Sequence, residues 1–312
     1  MNNTNKYISI LIIILLASFL LGACTPATSA ADDAEDSLQI TVSILPQAYF
    51  VERIGGERVS VNVMVGPGEE AHTYEPKPEQ MRALADSAVF FSIGVEYEDA
   101  WIPRFGDVNP EIVIIDSTAG IERIPMTHAH SHDDHDEDEG EEEHGHEDET
   151  GLDPHVWLSP ENGKQIATNI FNALVELAPK HETEFQANYD ALIRDIKTLD
   201  DSIQSILEGV ENQTFMVFHP AWGYFAKQYD LEQVPVQVGG QDPSASELAE
   251  LIEIATEENI RVIFIQPTFN AANARAIADE INAEIAVADP LSRDWLKNLE
   301  AVAEAFAEAL RP

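Results

Sequence analysis

The chain has 312 residues, with 57 Asp and Glu against 17 Lys and Arg, and carries a formal net charge of -40. That balance argues strongly against a nucleic-acid partner, because a phosphate backbone would be repelled rather than neutralised, and it makes cations the natural ligands, with carboxylates that only solvate the surface, as in a salty habitat, as the equally weighted alternative. A single cysteine, Cys24, rules out an intrachain disulfide, so a packed core must hold the mature chain together.

The first element is a signal peptide, residues 1–23. Lys6 precedes an apolar run from Ile8 to Leu21, which is shorter than the roughly 20 residues a membrane span needs, and small residues stand just before Cys24. The string Leu21-Gly22-Ala23-Cys24 resembles the lipobox of bacterial lipoproteins, in which the cysteine becomes the lipidated N-terminus. The resemblance implies an extracytoplasmic chain tethered to the cell membrane through Cys24, with an ordinary secreted protein as the alternative. Residues 24–37 are rich in Thr, Ala, Ser and Asp and read as a flexible tether.

From Leu38 onward, short β-branched runs alternate with helical patterns, which predicts an α/β fold with parallel sheets. Strands are expected at Leu38 to Ile44, Val59 to Val65, Ala88 to Ile93 and Ile112 to Ile115, and helices at Gln47 to Ile54, Pro78 to Ala85 and Tyr97 to Arg104. These form a first lobe, residues 38–180. It contains a segment of another kind, 128–150, with six of the ten histidines (His128, His130, His132, His135, His144, His146), twelve acids and no Lys or Arg. Such a composition cannot form a core, and its chemistry supports weak, multiple binding of divalent ions as an accessory metal loop.

Residues Glu182 to Glu208 contain neither Gly nor Pro and place Phe185, Tyr189, Leu192, Ile196, Leu199, Ile203 and Ile206 on one stripe. The spacing predicts a single helix of roughly 40 Å. It would serve as a rigid connector (181–209) between two parallel-sheet lobes, or else as a long core helix within one domain. The second lobe, 210–312, repeats the pattern, with strands at Thr214 to Phe218, Val234 to Val238, Arg261 to Ile265 and Ile285 to Ala288. Its helices are expected at Trp222 to Tyr229, Ser244 to Glu258, Ala271 to Ile281 and Asp294 to Leu310.

Four histidines lie outside the acidic loop. His72 follows a strand through Gly66-Pro67-Gly68, His219 ends another, and the carboxylate of Asp289 ends a third; His155 stands where a helix is about to begin. His181, among Glu182 and Glu184, reads as a surface residue. In open parallel sheets ligands bind beyond the carboxyl ends of strands, so these residues can converge in the cleft between lobes. Three imidazoles and a carboxylate would fill the tetrahedral shell of zinc.

The strings Gly68-Glu69-Glu70-Ala71-His72-Thr73-Tyr74-Glu75-Pro76, Asp153-Pro154-His155-Val156-Trp157-Leu158-Ser159-Pro160, Phe218-His219-Pro220-Ala221-Trp222-Gly223-Tyr224-Phe225 and Asp289-Pro290-Leu291, together with Gln266-Pro267-Thr268-Phe269, are similar in order to the metal-ligand segments of the solute-binding proteins of zinc and manganese ABC transporters. The resemblance runs from about Leu38 to the C-terminus. It implies two α/β lobes joined by one rigid helix, with the ion at their interface on His72, His155, His219 and Asp289. Glu70 or a water competes with Asp289 for the fourth place, and Ala71 stands where relatives often carry Pro. The histidine at position 219, where manganese-type relatives present a glutamate, implies Zn2+ over Mn2+. By the same resemblance the chain is a monomeric, non-enzymatic importer component that hands zinc to an ABC permease driven by its ATPase. A metal-binding adhesin or storage lipoprotein and a zinc hydrolase are the alternatives, although nothing in the chain resembles His-Glu-x-x-His.

Overall fold

The computed structural model describes residues 37–127, 151–237, 241–267 and 272–311. The signal peptide, Cys24, the six loop histidines and Thr268-Phe269 lie outside the described residues. The first half builds strands β1 (Leu38–Ile44), β2 (Val59–Val65), β3 (Val89–Ser92) and β4 (Val113–Asp116), all parallel, in the order β2-β1-β3-β4. Helices α1 (Leu45–Gly55), α2 (Pro78–Ala85) and α3 (Tyr97–Val108) supply the crossovers. The strands are β-branched and aromatic, and β1 and β3 are buried almost throughout, as the central strands of a parallel sheet must be.

The second half repeats the topology. Strands β5 (Thr214–Val217), β6 (Glu232–Pro235), β7 (Val262–Ile265) and β8 (Glu284–Val287) pair in parallel in the order β6-β5-β7-β8. Between the sheets run α4 (Pro160–Leu177) and α5 (Glu182–Leu207); α6 (Gly223–Gln228), α7 (Ala245–Glu257), α8 (Ala272–Ile281) and α9 (Trp295–Leu310) belong to the second half. Strand β6 differs from expectation, beginning at Glu232 and ending at Pro235 rather than spanning Val234 to Val238. It is an edge strand that starts at the exposed Glu232 and continues through the buried Gln233, whose Oε1 accepts from Trp222 N at 2.7 Å, and beyond Pro235 the chain bends to carry Gln237 back toward β5. Helix α4 follows His155 after a short turn, starting at Pro160 with Ser159 Oγ accepting from Asn162 N at 3.2 Å.

The expected long helix is α5. Its stripe Phe185, Leu192, Ile196, Leu199 and Ile203 is buried, while Tyr189 and Ile206 are half-buried. It packs against α1 and α4 on one side of the molecule and against α9 on the other. One apolar cluster therefore runs from the first sheet through α4, α5 and α9 into the second, and a smaller one fills the space between the second sheet, α7 and α8. Residues Leu38–Pro312 form one compact unit. His181, expected at the surface, is half-buried, with its ring 5.9 Å from that of Phe185. No helix among the described residues is long and apolar enough to cross a membrane.

Two indoles lock the halves together. Trp157 Nε1 donates to the Pro290 carbonyl at 2.7 Å, and Trp295 Nε1 donates to the Trp157 carbonyl at 2.7 Å. Trp295 lies against Phe50, with centroids 4.8 Å apart, and covers Gly163 so closely that a Cβ there would meet its ring at 2.5 Å.

Candidate metal centre

In both sheets the chain leaves the central strand in opposite directions, and side chains from beyond the carboxyl ends of β2 and β5 meet, His72 Nε2 lying 3.1 Å from His219 Nε2. His72 sits on the loop after β2, Glu96 on the loop after β3, His219 two residues after β5, and Gln237 two residues after β6. His155 comes from the turn that precedes α4. His155 and His219 are buried, at 4 % and 7 % exposure, and His72 is half-buried.

Each imidazole is held from behind at Nδ1. His72 Nδ1 lies 2.6 Å from Glu96 Oε2, His155 Nδ1 lies 2.8 Å from Asp153 Oδ1, and His219 Nδ1 lies 2.9 Å from Gln237 Oε1. These oxygens are acceptors, so every Nδ1 carries the proton, and in the neutral rings all three Nε2 atoms present lone pairs. The Nε2 atoms face each other: His72 to His219 at 3.1 Å and His219 to His155 at 3.3 Å. Lone pairs so close repel unless a positive charge sits between them. A tetrahedral ion with Zn–N bonds of about 2.0 to 2.1 Å requires nitrogens roughly 3.3 to 3.4 Å apart, close to the spacing found.

Electrostatics sharpen the roles. Burial, reinforced by the neighbouring His155 and His72, lowers the His219 pKa to about 3, so this ring stays neutral and ready to ligate. Burial also opposes charge on His72, but the hydrogen bond and field of Glu96, with Glu70 and Asp153 beyond it, outweigh burial and raise its pKa. In the metal-free pocket a proton on His72 Nε2 can bridge to His219, holding the place that a cation would take.

The second ligand loop and the third are interlocked. The Asp153 carbonyl accepts from Tyr224 OH at 3.0 Å and from Arg123 Nη1 at 3.4 Å, while Asp153 N donates to the Ile124 carbonyl at 2.8 Å. Gly223, four residues after His219, has no room for a side chain, because a Cβ would lie 2.7 Å from Asp153 Oδ2.

The structure thus brings His72, His155 and His219 together, with one ligand atom from each within 4.8 Å of the others. Among the described residues no carboxylate joins that set. Glu70 Oε1 comes to 3.7 Å from His72 Nε2. Asp289 stands apart: its Oδ1 accepts from Leu291 N at 2.9 Å, burial pushes its carboxyl pKa up, and it lines a cavity of about 370 Å³ with Glu69, Gln266 and Arg293. The Asp289 carbonyl is fixed by Asn298 Nδ2 at 2.7 Å. Sequence reasoning missed Glu96, Asp153 and Gln237. Only Asp153 left a local signal, two residues before its histidine; Glu96 and Gln237 reach theirs across 24 and 18 residues.

The model of the family described as zinc-uptake complex component A, periplasmic, matches residues 40–309. The chain is 30% identical over 285 residues to the high-affinity zinc uptake system protein ZnuA of Bacillus subtilis (strain 168), covering 89% of this chain and 87% of that protein. It is 25% identical over 279 residues to the manganese-binding lipoprotein MntA of Halalkalibacterium halodurans, covering 88% and 86%. A solved crystal structure of a ZnuA superposes with a TM-score of 0.79 at 39% identity, covering 88% of this chain and 99% of that one.

Proposed function

The chain belongs to the family of the periplasmic zinc-uptake complex component A, and on that premise we propose that it captures Zn2+ outside the cytoplasm through the Nε2 atoms of His72, His155 and His219 and delivers the ion to the permease of an ABC importer. The observation that carries the ligand assignment is the convergence of three Nε2 lone pairs, each fixed by an acceptor at its own Nδ1. Imidazole donors at all three positions favour zinc over a harder ion such as Mn2+. Water, Glu70 or a re-aimed Asp289 completes the shell, and the proximity of Glu70 to His72 Nε2 favours Glu70 over Asp289 in the conformation described.

The lipid on Cys24 holds the chain to the membrane, where it acts as a monomer beside the permease and its ATPase. The lobes at 38–180 and 210–312 keep a fixed relation through the helix at 181–209. Residues 128–150 gather ions weakly as an accessory to the three histidines. The chain binds and releases; it does not catalyse.

Elemental analysis tests the assignment. The chain lacking residues 128–150 should retain one zinc per molecule after dialysis against a weak chelator, and His219→Ala in that background should lose it. Full zinc retention by His219→Ala would refute the ligand set.

A further inference from the structure

We propose that Asp153 is a positioning residue whose buried charge is kept for the ion, so that it strengthens metal binding while weakening the metal-free fold; the inference rests on the three-histidine reading above. Asp153 is 0 % exposed. Its Oδ1 receives two donors, the backbone N–H and the Nδ1–H of His155, each at 2.8 Å. Its Oδ2 is buried and has no hydrogen-bond partner among the described residues. Arg123, the nearest guanidinium bonded to this residue, reaches the backbone carbonyl instead of the carboxylate. A buried carboxylate with one oxygen unsatisfied opposes folding, and a chain gains by replacing it unless the charge does something else.

The geometry supplies that other use. Three neutral imidazoles contribute no charge to a divalent ion, and no carboxylate among the described residues stands within the set of ligand atoms. Whatever completes the shell, two outer carboxylates also offset the ion's charge, Glu96 behind His72 and Asp153 behind His155. They are not equivalent. The Glu96 side chain is 51 % exposed, so water screens it, whereas the Asp153 side chain is fully buried and its field on the site is screened less. Through Nδ1–H, Asp153 both fixes the His155 tautomer and makes Nε2 a stronger donor. A neutral acceptor such as Gln237, which serves His219, would give the orientation alone. Gly223 fits the same account: its missing side chain leaves space for the second carboxylate oxygen.

The test compares Asp153→Asn with the unmodified chain, both lacking residues 128–150, and reads two quantities. One is zinc affinity, by competition with a chromophoric chelator; the other is the melting temperature of the metal-free chain. The amide keeps an oxygen for the two His155 donors. Asp153→Asn should bind zinc 10- to 100-fold more weakly, and its metal-free melting temperature should stay the same or rise. Glu96→Gln should lose less affinity than Asp153→Asn. Unchanged zinc affinity in Asp153→Asn overturns the proposal. So does a fall in metal-free stability, including failure to fold, because Asp153 would then be a structural residue. His219→Ala is measured alongside: if it too binds normally, the ligand assignment itself is wrong, and if it alone fails, only the role of Asp153 is refuted.

Discussion

At the residue scale, the centre is three imidazoles whose protonation differs although their chemistry is the same. His219 is held neutral, with a pKa lowered to about 3 by burial and by its two histidine neighbours. The His72 pKa moves upward because Glu96 and the more distant Glu70 and Asp153 overcome burial. An imidazolium has no lone pair at Nε2, so zinc must displace the His72 proton. The sign follows: affinity is greatest well above the raised pKa of His72 and falls as pH drops through it, while His219 adds no further loss until about pH 3. Zinc titrations at pH 6 and pH 8 on the chain lacking 128–150 should show weaker binding at pH 6, and nitrogen NMR of the metal-free chain at pH 6 should find His219 neutral. Equal affinities, or a protonated His219, would contradict this. The sequence carried the three convergent histidines because each sits beside a strand end or a loop boundary in a distinctive string. It could not carry Glu96 and Gln237, whose roles exist only once β3 and β6 deliver their loops to the site, and it could not decide between Glu70 and Asp289, because that depends on where two carboxylates point.

At the scale of elements, pattern was a reliable guide where a strand or helix buries one continuous face. β1, β2 and α2 run as their periodicity predicts, and the unbroken α5 follows from a 26-residue stretch free of Gly and Pro. Strand β6 shifted because pairing with β5, rather than apolar content, sets the limits of an edge strand. The contact between α4 and α9 was invisible beforehand: nothing local to Gly163 says that Trp295 will lie on it. Gly163→Ala would drive a methyl group into that indole, at 2.5 Å from its nearest ring atom, within a packed core. Thermal or denaturant unfolding should show a loss of about 1 to 3 kcal/mol. An unchanged or increased stability would mean that α9 does not pack on α4 as described.

At the scale of the whole molecule, the two sheets share one strand order and present their loops to one cleft, and the elements between them are built for stiffness. The α5 helix touches both halves, Trp157 and Trp295 bond across them, and a single apolar cluster continues from one to the other. A site assembled from both halves is then preorganised: the Nε2 atoms already stand near the spacing zinc requires, so capture needs little rearrangement beyond the loss of a proton. The repeat of two α/β halves was legible from the alternation of strands and helices. Their weld was not, because its partners are separated by more than 130 residues. The dense histidine run at 128–150 draws the eye as a metal site and lies outside the described residues, among which the convergent set is His72, His155 and His219.

The central claim, that zinc is held by three imidazoles from His72, His155 and His219, is tested most directly by zinc-edge X-ray absorption on the loaded chain lacking residues 128–150. The account predicts a four- or five-coordinate ion with three imidazole nitrogens at about 2.0 to 2.1 Å and the remaining scatterers oxygen. A spectrum with one imidazole or none would contradict it.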